Sequence, residues 1–406
     1  MTVSLASVPV LDGAAEAAAV ASRLADEFRA DASEREQQRR LPHHEIDRLS
    51  QAGLYAATVP AEFGGADLPP SAVAEILRVL ATADPNVAQI PHSHFVYVQL
   101  LKLAATREQQ RFFFSELLAG RRFANAQSER GGKTITDVAT TVTPDGDGFR
   151  LSGTKYYCTG TLFAHWIPVL ARLVDTAGAS GLSAGEYVVW VPTDAIGVDV
   201  ADDWDALGQK LTGGGTVTLN DVAVQRDWVV PRSPAFAGPT GYGAYAQLLH
   251  AAIDVGIARA ALDDAVDFVR TKSRPWFEAQ VDRAVDDPLL VQRFGELAVD
   301  VATAEATLTA AGAAVDAVFT DPTDAAATSA SVAVAVAKIV GERSALDVSS
   351  AVFEVSGTRS AAGGSNLDRH WRNARTHTLH DPVRWKYQHI GAAVLRDDAP
   401  PRHGLI

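Results

Sequence analysis

The chain has 406 residues, 47% of them hydrophobic and 21% charged, an ordinary soluble composition that is too long for one compact core. Its formal net charge is -13, a surface that repels phosphate backbones and excludes nucleic acid as an expected partner. The one cysteine, Cys158, excludes an internal disulfide and fits a reducing compartment, taken here as the cytoplasm.

The Ala-rich N-terminal stretch carries Asp12, Glu16, Asp26 and Glu27 with no basic leader, which argues against a signal peptide. No uninterrupted apolar run reaches about 18 residues, so no membrane span is expected. Residues 1–118 are helical in pattern. Val20, Leu24 and Phe28 step at helical spacing, Pro42 opens a helix that Gly53 closes, and further helices start at Ser71 and near His94. Residues 119–235 form a β-rich unit. The turn Asp145-Gly-Asp-Gly148 predicts a hairpin, Tyr187-Val-Val-Trp-Val191 is a buried strand, and Thr216–Leu219 and Val222–Val224 are two short strands broken at Asn220-Asp221. Residues 236–406 return to helix. Leu290, Phe294, Leu297, Val301, Leu308, Val315 and Val318 make one stripe, and an Ala/Val helix follows over 326–355, a pattern suited to a close-packed bundle.

Four segments in this order carry a resemblance. They are Gly53-Leu-Tyr-Ala-Ala-Thr-Val-Pro-Ala-Glu-Phe-Gly-Gly65, Leu151-Ser-Gly-Thr-Lys-Tyr-Tyr-Cys-Thr159, Ala206-Leu-Gly-Gln-Lys210 and Gly256-Ile-Ala-Arg-Ala-Ala-Leu262. Over nearly its whole length the chain resembles the acyl-CoA dehydrogenase superfamily. The implied fold class is α+β, with an N-terminal helical domain, a middle β domain and a C-terminal four-helix bundle. Asp202-Asp-Trp204, Arg274-Pro-Trp276 and Asp368-Arg-His-Trp-Arg-Asn-Ala-Arg-Thr-His-Thr-Leu-His-Asp-Pro-Val383 narrow the resemblance to dibenzothiophene monooxygenase-like enzymes that use reduced flavin.

A dehydrogenase of this fold needs a carboxylate base within reach of the carbon it deprotonates. At the two positions where the family places that glutamate, this chain has Leu379-His-Asp-Pro382 and Ala246. The resemblance therefore implies oxygen transfer from a flavin C4a-hydroperoxide. His380 and His94 are the expected proton-handling residues, and Thr159 stands where the family places a hydroxyl near flavin N5. His377 and His380, three apart, are expected to share a helix face. His377, Tyr97 and Asn125 are the expected substrate contacts. His43, His44, His250 and His403 are read as structural or exposed. His92 and His94 with His377 and His380 have the residue types of a metal site, but no metal is expected.

No G-x-G-x-x-G segment opens a helix after a strand, so no nicotinamide site is expected. Reduced flavin must then come from a separate NAD(P)H:flavin reductase. By resemblance the cofactor is FMN, with FAD the alternative. Asn125, Ser128, Tyr157, Thr159 and Trp204 are the expected ring contacts, and Arg274 and Arg359 the phosphate contacts. The implied reaction uses O2 on an apolar aromatic heterocycle, a sulfur heterocycle or an indole-like ring, in a homotetramer. Two rivals stand beside it: an acyl-CoA dehydrogenase or oxidase with a relocated base, and a non-catalytic binding relative.

Overall fold

The computed structural model describes residues 7–406. Helices α1 (Gly13–Arg29), α2 (Ala32–Gln37), α3 (His43–Gln51), α4 (Pro70–Ala83), α5 (Pro85–Gln89), α6 (His92–Ala104) and α7 (Arg107–Leu118) come first. Their ends are written in the sequence. Pro85 begins α5 behind an Asp84 whose side chain accepts from the Asn86 N–H. Thr106 and Gln109 close a reciprocal capping box on α7. Gly53, at φ 81, ends the α3 turn as expected, and a Cβ there would stand 2.1 Å from the Pro9 carbonyl oxygen.

One seven-stranded sheet follows, in the order β5-β6-β2-β1-β3-β4-β7. Its strands are β1 (Thr141–Asp145), β2 (Gly148–Lys155), β3 (Trp166–Leu173), β4 (Glu186–Pro192), β5 (Val198–Val200), β6 (Val217–Val224) and β7 (Val229–Pro231). The predicted hairpin is β1–β2. The break expected at Asn220-Asp221 is instead a bulge within the single strand β6, whose register against β2 slips between Leu151 and Gly153. Asp221 takes φ 52 there and its N–H turns to the Ser152 hydroxyl, so pairing resumes on the far side.

The C-terminal part is built on three long helices, α8 (Tyr242–Thr271), α9 (Pro288–Thr320) and α10 (Asp324–Ser356). The short α11 (Asp368–His377) and α12 (Val383–Arg396) share the fourth place, both against α10. Alanine and glycine let the backbones approach: a Cβ on Gly256 would meet the Ala81 Cβ and the Arg78 carbonyl oxygen, both at 2.5 Å. α8 is therefore central, pressed between α4 and α10. α10 is long and apolar enough to cross a membrane, a feature the search for an uninterrupted apolar run did not register. It packs against α8, α9, α11 and α12 and buries Lys338 and Glu342, which marks it as a bundle helix. The helical core joins the sheet through aromatics, with Phe113 of α7 5.2 Å and Tyr97 of α6 6.1 Å from the Trp190 ring of β4.

Candidate active site

α6 runs behind the whole site. Its side chains separate into three duties that the sequence cannot distinguish. His92 is buried, with Nε2 2.9 Å from the Ala246 carbonyl oxygen. His94 is fully buried; its Nε2 lies 2.7 Å from the Tyr55 carbonyl oxygen and its Nδ1 accepts from the Phe123 N–H at 3.1 Å. Tyr97, also buried, donates its hydroxyl to Asn125 Oδ1 at 3.2 Å.

These contacts correct two expectations. His94 has both ring nitrogens spent on backbone groups, and burial pushes it down to about 3, so it is a neutral strut between α6, Tyr55 and Phe123 and has no proton to give. Tyr97 touches no open surface. It orients Asn125 instead, holding the amide oxygen inward.

The histidine that joins the chemistry is His92. Its ring lies 3.8 Å, centroid to centroid, from that of His250, which in turn lies 3.9 Å from that of His380. His250 was read as structural; α8 puts it at the centre of this stack. His250 Nδ1 is 3.1 Å from His377 Nε2, and His377 Nδ1 is 2.6 Å from Asp254 Oδ1. His377 is therefore interior, with both nitrogens engaged, and is not a substrate contact. Nor does it share a helix with His380. α11 ends at His377, and His380 lies in the turn beyond, its N–H donating to the His377 carbonyl oxygen. The rings pack against one another with no common centre, and no group of three or more metal-ligating side chains is present among the described residues.

Charge is confined at this wall. Lys338 of α10 pairs with Asp254 at 2.5 Å, and Lys386 of α12 pairs with Asp381 at 2.7 Å. Burial pushes the Asp254 carboxyl up, but Lys338 and His377 more than offset it and hold it below the usual range. Asp381 likewise ends low, because His380, Lys386 and Lys338 outweigh its burial. An aspartate held ionised by an ammonium is a poor base, so Asp381 does not restore what Ala246 and the missing glutamate remove. Burial depresses His92 to about 3 and His250 well below its ordinary value, the neighbouring imidazoles adding to both. Two charged imidazoles about 4 Å apart would repel by roughly 4 kcal/mol at an effective dielectric of about 20, so the stack carries one charge at most. His380 is its one exposed member. Its side chain is 41% exposed and its Nδ1 is 3.2 Å from the Asp381 carboxylate.

The second wall comes from the β domain, and its candidate cofactor contacts are neutral side chains. The Asn125 N–H donates to the Thr159 carbonyl oxygen. The Trp204 indole N–H donates to the Gln209 carbonyl oxygen at 2.7 Å, and Tyr157 meets the ring edge-on at 5.9 Å. Gly214 separates Thr159 from Trp204: a Cβ there would lie 3.7 Å from both the Thr159 hydroxyl oxygen and the Trp204 ring. The Trp204 loop is tied to α11, since the Gln209 N–H donates to Asn373 Oδ1 at 2.7 Å. At Gly208 a Cβ would stand 2.0 Å from the Arg372 carbonyl oxygen. Sequence reasoning missed this tie; Asn373, in the centre of the Arg/His-rich segment, was its only available signal.

A flavin ring needs a flat partner and hydrogen-bond groups at its edge. Trp204 offers the first. The Thr159 hydroxyl, the Ser128 hydroxyl and the Asn125 amide nitrogen offer the second, since among the described residues none makes a hydrogen bond and none is a buried unpaired atom. The residues fit the group. Arg274 and Arg359 stand elsewhere, on the neighbouring loops after α8 and α10 that Ser273 and Ser356 join at 3.2 Å. Arg359 donates to the Lys272 carbonyl oxygen and Arg274 is exposed without an ion pair. No hydrogen bond or ion pair among the described residues joins this corner to Thr159 or Trp204. A cleft of about 470 Å³ between α4 and α9, lined by Ser71, Glu75, Arg78 and Glu305, includes none of these residues.

Comparison with known proteins places the chain in a family. Models of the acyl-CoA dehydrogenase N-terminal, middle and C-terminal domains match residues 14–121, 124–222 and 248–385. The dibenzothiophene monooxygenase of Rhodococcus qingshengii is 31% identical over 94% of both chains. A protein of Pseudomonas putida named as a probable FMNH2-dependent monooxygenase, SfnC, is 28% identical over 97% of this chain and 98% of its own. TdsC of Paenibacillus sp. A11-2, in complex with FMN and indole, superimposes with a TM-score of 0.90 at 30% identity, over 96% of this chain and 99% of its own. The chain belongs to the acyl-CoA dehydrogenase family.

Proposed function

We propose that the protein is the oxygenase of a two-component system, taking reduced FMN from a separate NAD(P)H:flavin reductase and using O2 to oxygenate an apolar aromatic heterocycle. One observation carries this: where the family's dehydrogenases need a free carboxylate, α8 presents Ala246 beside a stack of imidazoles in which only His380 is exposed. The relatives named for dibenzothiophene, for FMNH2 and for a complex with indole support the cofactor and the substrate class.

When bound, reduced flavin supplies the electrons that let one atom of O2 enter the substrate while the other leaves as water. The chain's residues serve that chemistry in place. Asn125, Ser128 and Thr159 hydrogen-bond the ring edge, and Trp204 covers a face. His380 has its Nδ1 3.2 Å from the Asp381 carboxylate and, carrying a proton on both ring nitrogens, would donate from Nε2 the proton that the departing oxygen needs. Arg274 and Arg359 grip the phosphate across a subunit contact of a homotetramer. The 63% and 75% exposure of Trp276 and Phe277 beside Arg274 supports such a contact. Cys158 is buried and makes no disulfide, which suits the cytoplasm.

The test combines the protein with FMN, NADH and a flavin reductase, and follows oxygen insertion into indole or a thiophene. Oxygenated product that depends on the reductase is the expected result. A bound flavin bleached by an acyl-CoA without reductase, and no product with it, would establish the dehydrogenase instead.

A further inference from the structure

The monooxygenase reading uses His380 and leaves three buried groups behind it without a role. These are Asp254 and His250, four residues apart on α8, and His377 at the end of α11. Their hydrogen bonds have a direction. Asp254 is ionised and already accepts from Lys338, so it accepts from His377 Nδ1–H as well. Burial keeps His377 neutral even beside Asp254. Its Nε2 is then a bare lone pair, and the bond to His250 requires the proton on His250 Nδ1. His250 Nε2, on the other side of the ring, is left as an acceptor with no partner among the described residues.

We propose that Asp254 and His377 are positioning residues that fix His250 as its Nδ1–H tautomer, and so keep a neutral ring with a free Nε2 acceptor between His92 and His380. This inference rests on the monooxygenase reading for its purpose but not for its geometry. The ionisable groups around His250 are His92 from α6, Lys338 from α10, His377 from α11 and His380 from the turn after it, with Asp381 and Lys386 behind His380. Were His250 free to change tautomer, its Nδ1 would lose the fixed acceptor and its Nε2 would no longer be held as an open acceptor. A fixed neutral His250 keeps charge out of the buried interior of the stack.

The proposal is tested first without cofactor, on protein carrying 15N in its histidine rings. His250, assigned by the signals lost in His250→Phe, is expected to show a protonated Nδ1 and an unprotonated Nε2 across roughly pH 6–8. His377→Leu removes the acceptor, and both tautomers are expected. His377→Gln offers an amide oxygen to Nδ1, and the single tautomer is expected to return. With reduced FMN and substrate, His377→Leu should lower product per flavin oxidised, on the order of tenfold to a hundredfold, and shift the pH profile. His377→Gln should recover most of both. A protonated Nε2 on native His250 overturns the proposal. Equal losses in the two variants with an unchanged pH profile, the mark of a packing role, overturn it as well. If His377→Leu does not fold, the native ring-nitrogen spectrum still decides. Failure of the monooxygenase reading looks different: native protein gives no product while His250 keeps the assigned tautomer.

Discussion

The two walls of the site are built on opposite terms. The bundle wall, from α6, α8, α10 and α11, concentrates ionisable groups where water is absent: His92, His250, Asp254, Lys338 and His377 are all buried. The β wall offers neutral groups: Asn125, Ser128 and Thr159 each keep a polar atom unspent, and Trp204 has its indole N–H tied to Gln209. Buried charges are stable only when each has its partner, so the bundle wall is a coupled unit in which structure and proton chemistry cannot be changed separately. Hydroxyls and an indole on a hydrogen-bonded loop carry no such coupling. In the proposed reading the proton-handling groups lie on the coupled side and the cofactor contacts on the side that backbone geometry sets.

The comparison is open to attack in order of effect. His380→Ala strikes the one exposed member of the bundle wall. It is expected to lower oxygenation by roughly 10²- to 10⁴-fold while flavin binding and thermal stability stay near those of the parent, as read by product yield, flavin fluorescence quenching and melting. Asp254→Ala strikes the coupled interior. It strands Lys338, which is 1% exposed, and should cost about 3–5 kcal/mol of unfolding free energy in urea. A loss below about 1 kcal/mol would mean that the wall is not coupled as described. On the β wall, Thr159→Val should weaken reduced-flavin binding by about tenfold, the worth of a single hydrogen bond, and leave the urea midpoint in place. A drop in stability equal to that of Asp254→Ala would erase the distinction.

The smallest effect concerns Glu342, which has Lys338 one turn before it on α10 and one oxygen buried without a partner. Burial raises its carboxyl to about 7, Lys338 offsetting this only in part. A carboxyl raised in the folded state favours folding below its ordinary value near 4.5 and loses that contribution as pH rises through about 7. Glu342→Gln should therefore stabilise the protein at pH 8 by on the order of 1–2 kcal/mol and change little at pH 5. Paired melts at the two pH values check the sign.

Much of the fold was legible because its signals are local. Capping residues, the Asp145–Gly148 turn and the stripe along α9 each depend on neighbours a few residues away. The β6 bulge was not, because a glycine-free Asn-Asp pair looks the same as a strand end until the partner strand shows that pairing resumes. At the site, Thr159 lies beside both Asn125 and Trp204. His92 and His94 could not be told apart in sequence. They are two residues apart on one helix, about 200° around its axis, so one faces α8 and the other faces the β domain. His250 carried no motif at all, and only the meeting of α8 with α6 and α11 gives it neighbours.

The sequence by itself determined the order of helix, sheet and helix, the absence of a glutamate at either base position, and the residue types gathered in the Arg/His-rich segment. The order and the residue types are properties of periodicity and composition along the chain, and the two base positions are placed by the family resemblance. Which histidine is a strut, which is exposed, and which is fixed in a single tautomer was decided by the tertiary structure alone. Protonation depends on burial and on charges within a few ångströms, and the groups that set it here, Asp254 against His377 and Lys386 against Asp381, include partners more than a hundred residues apart.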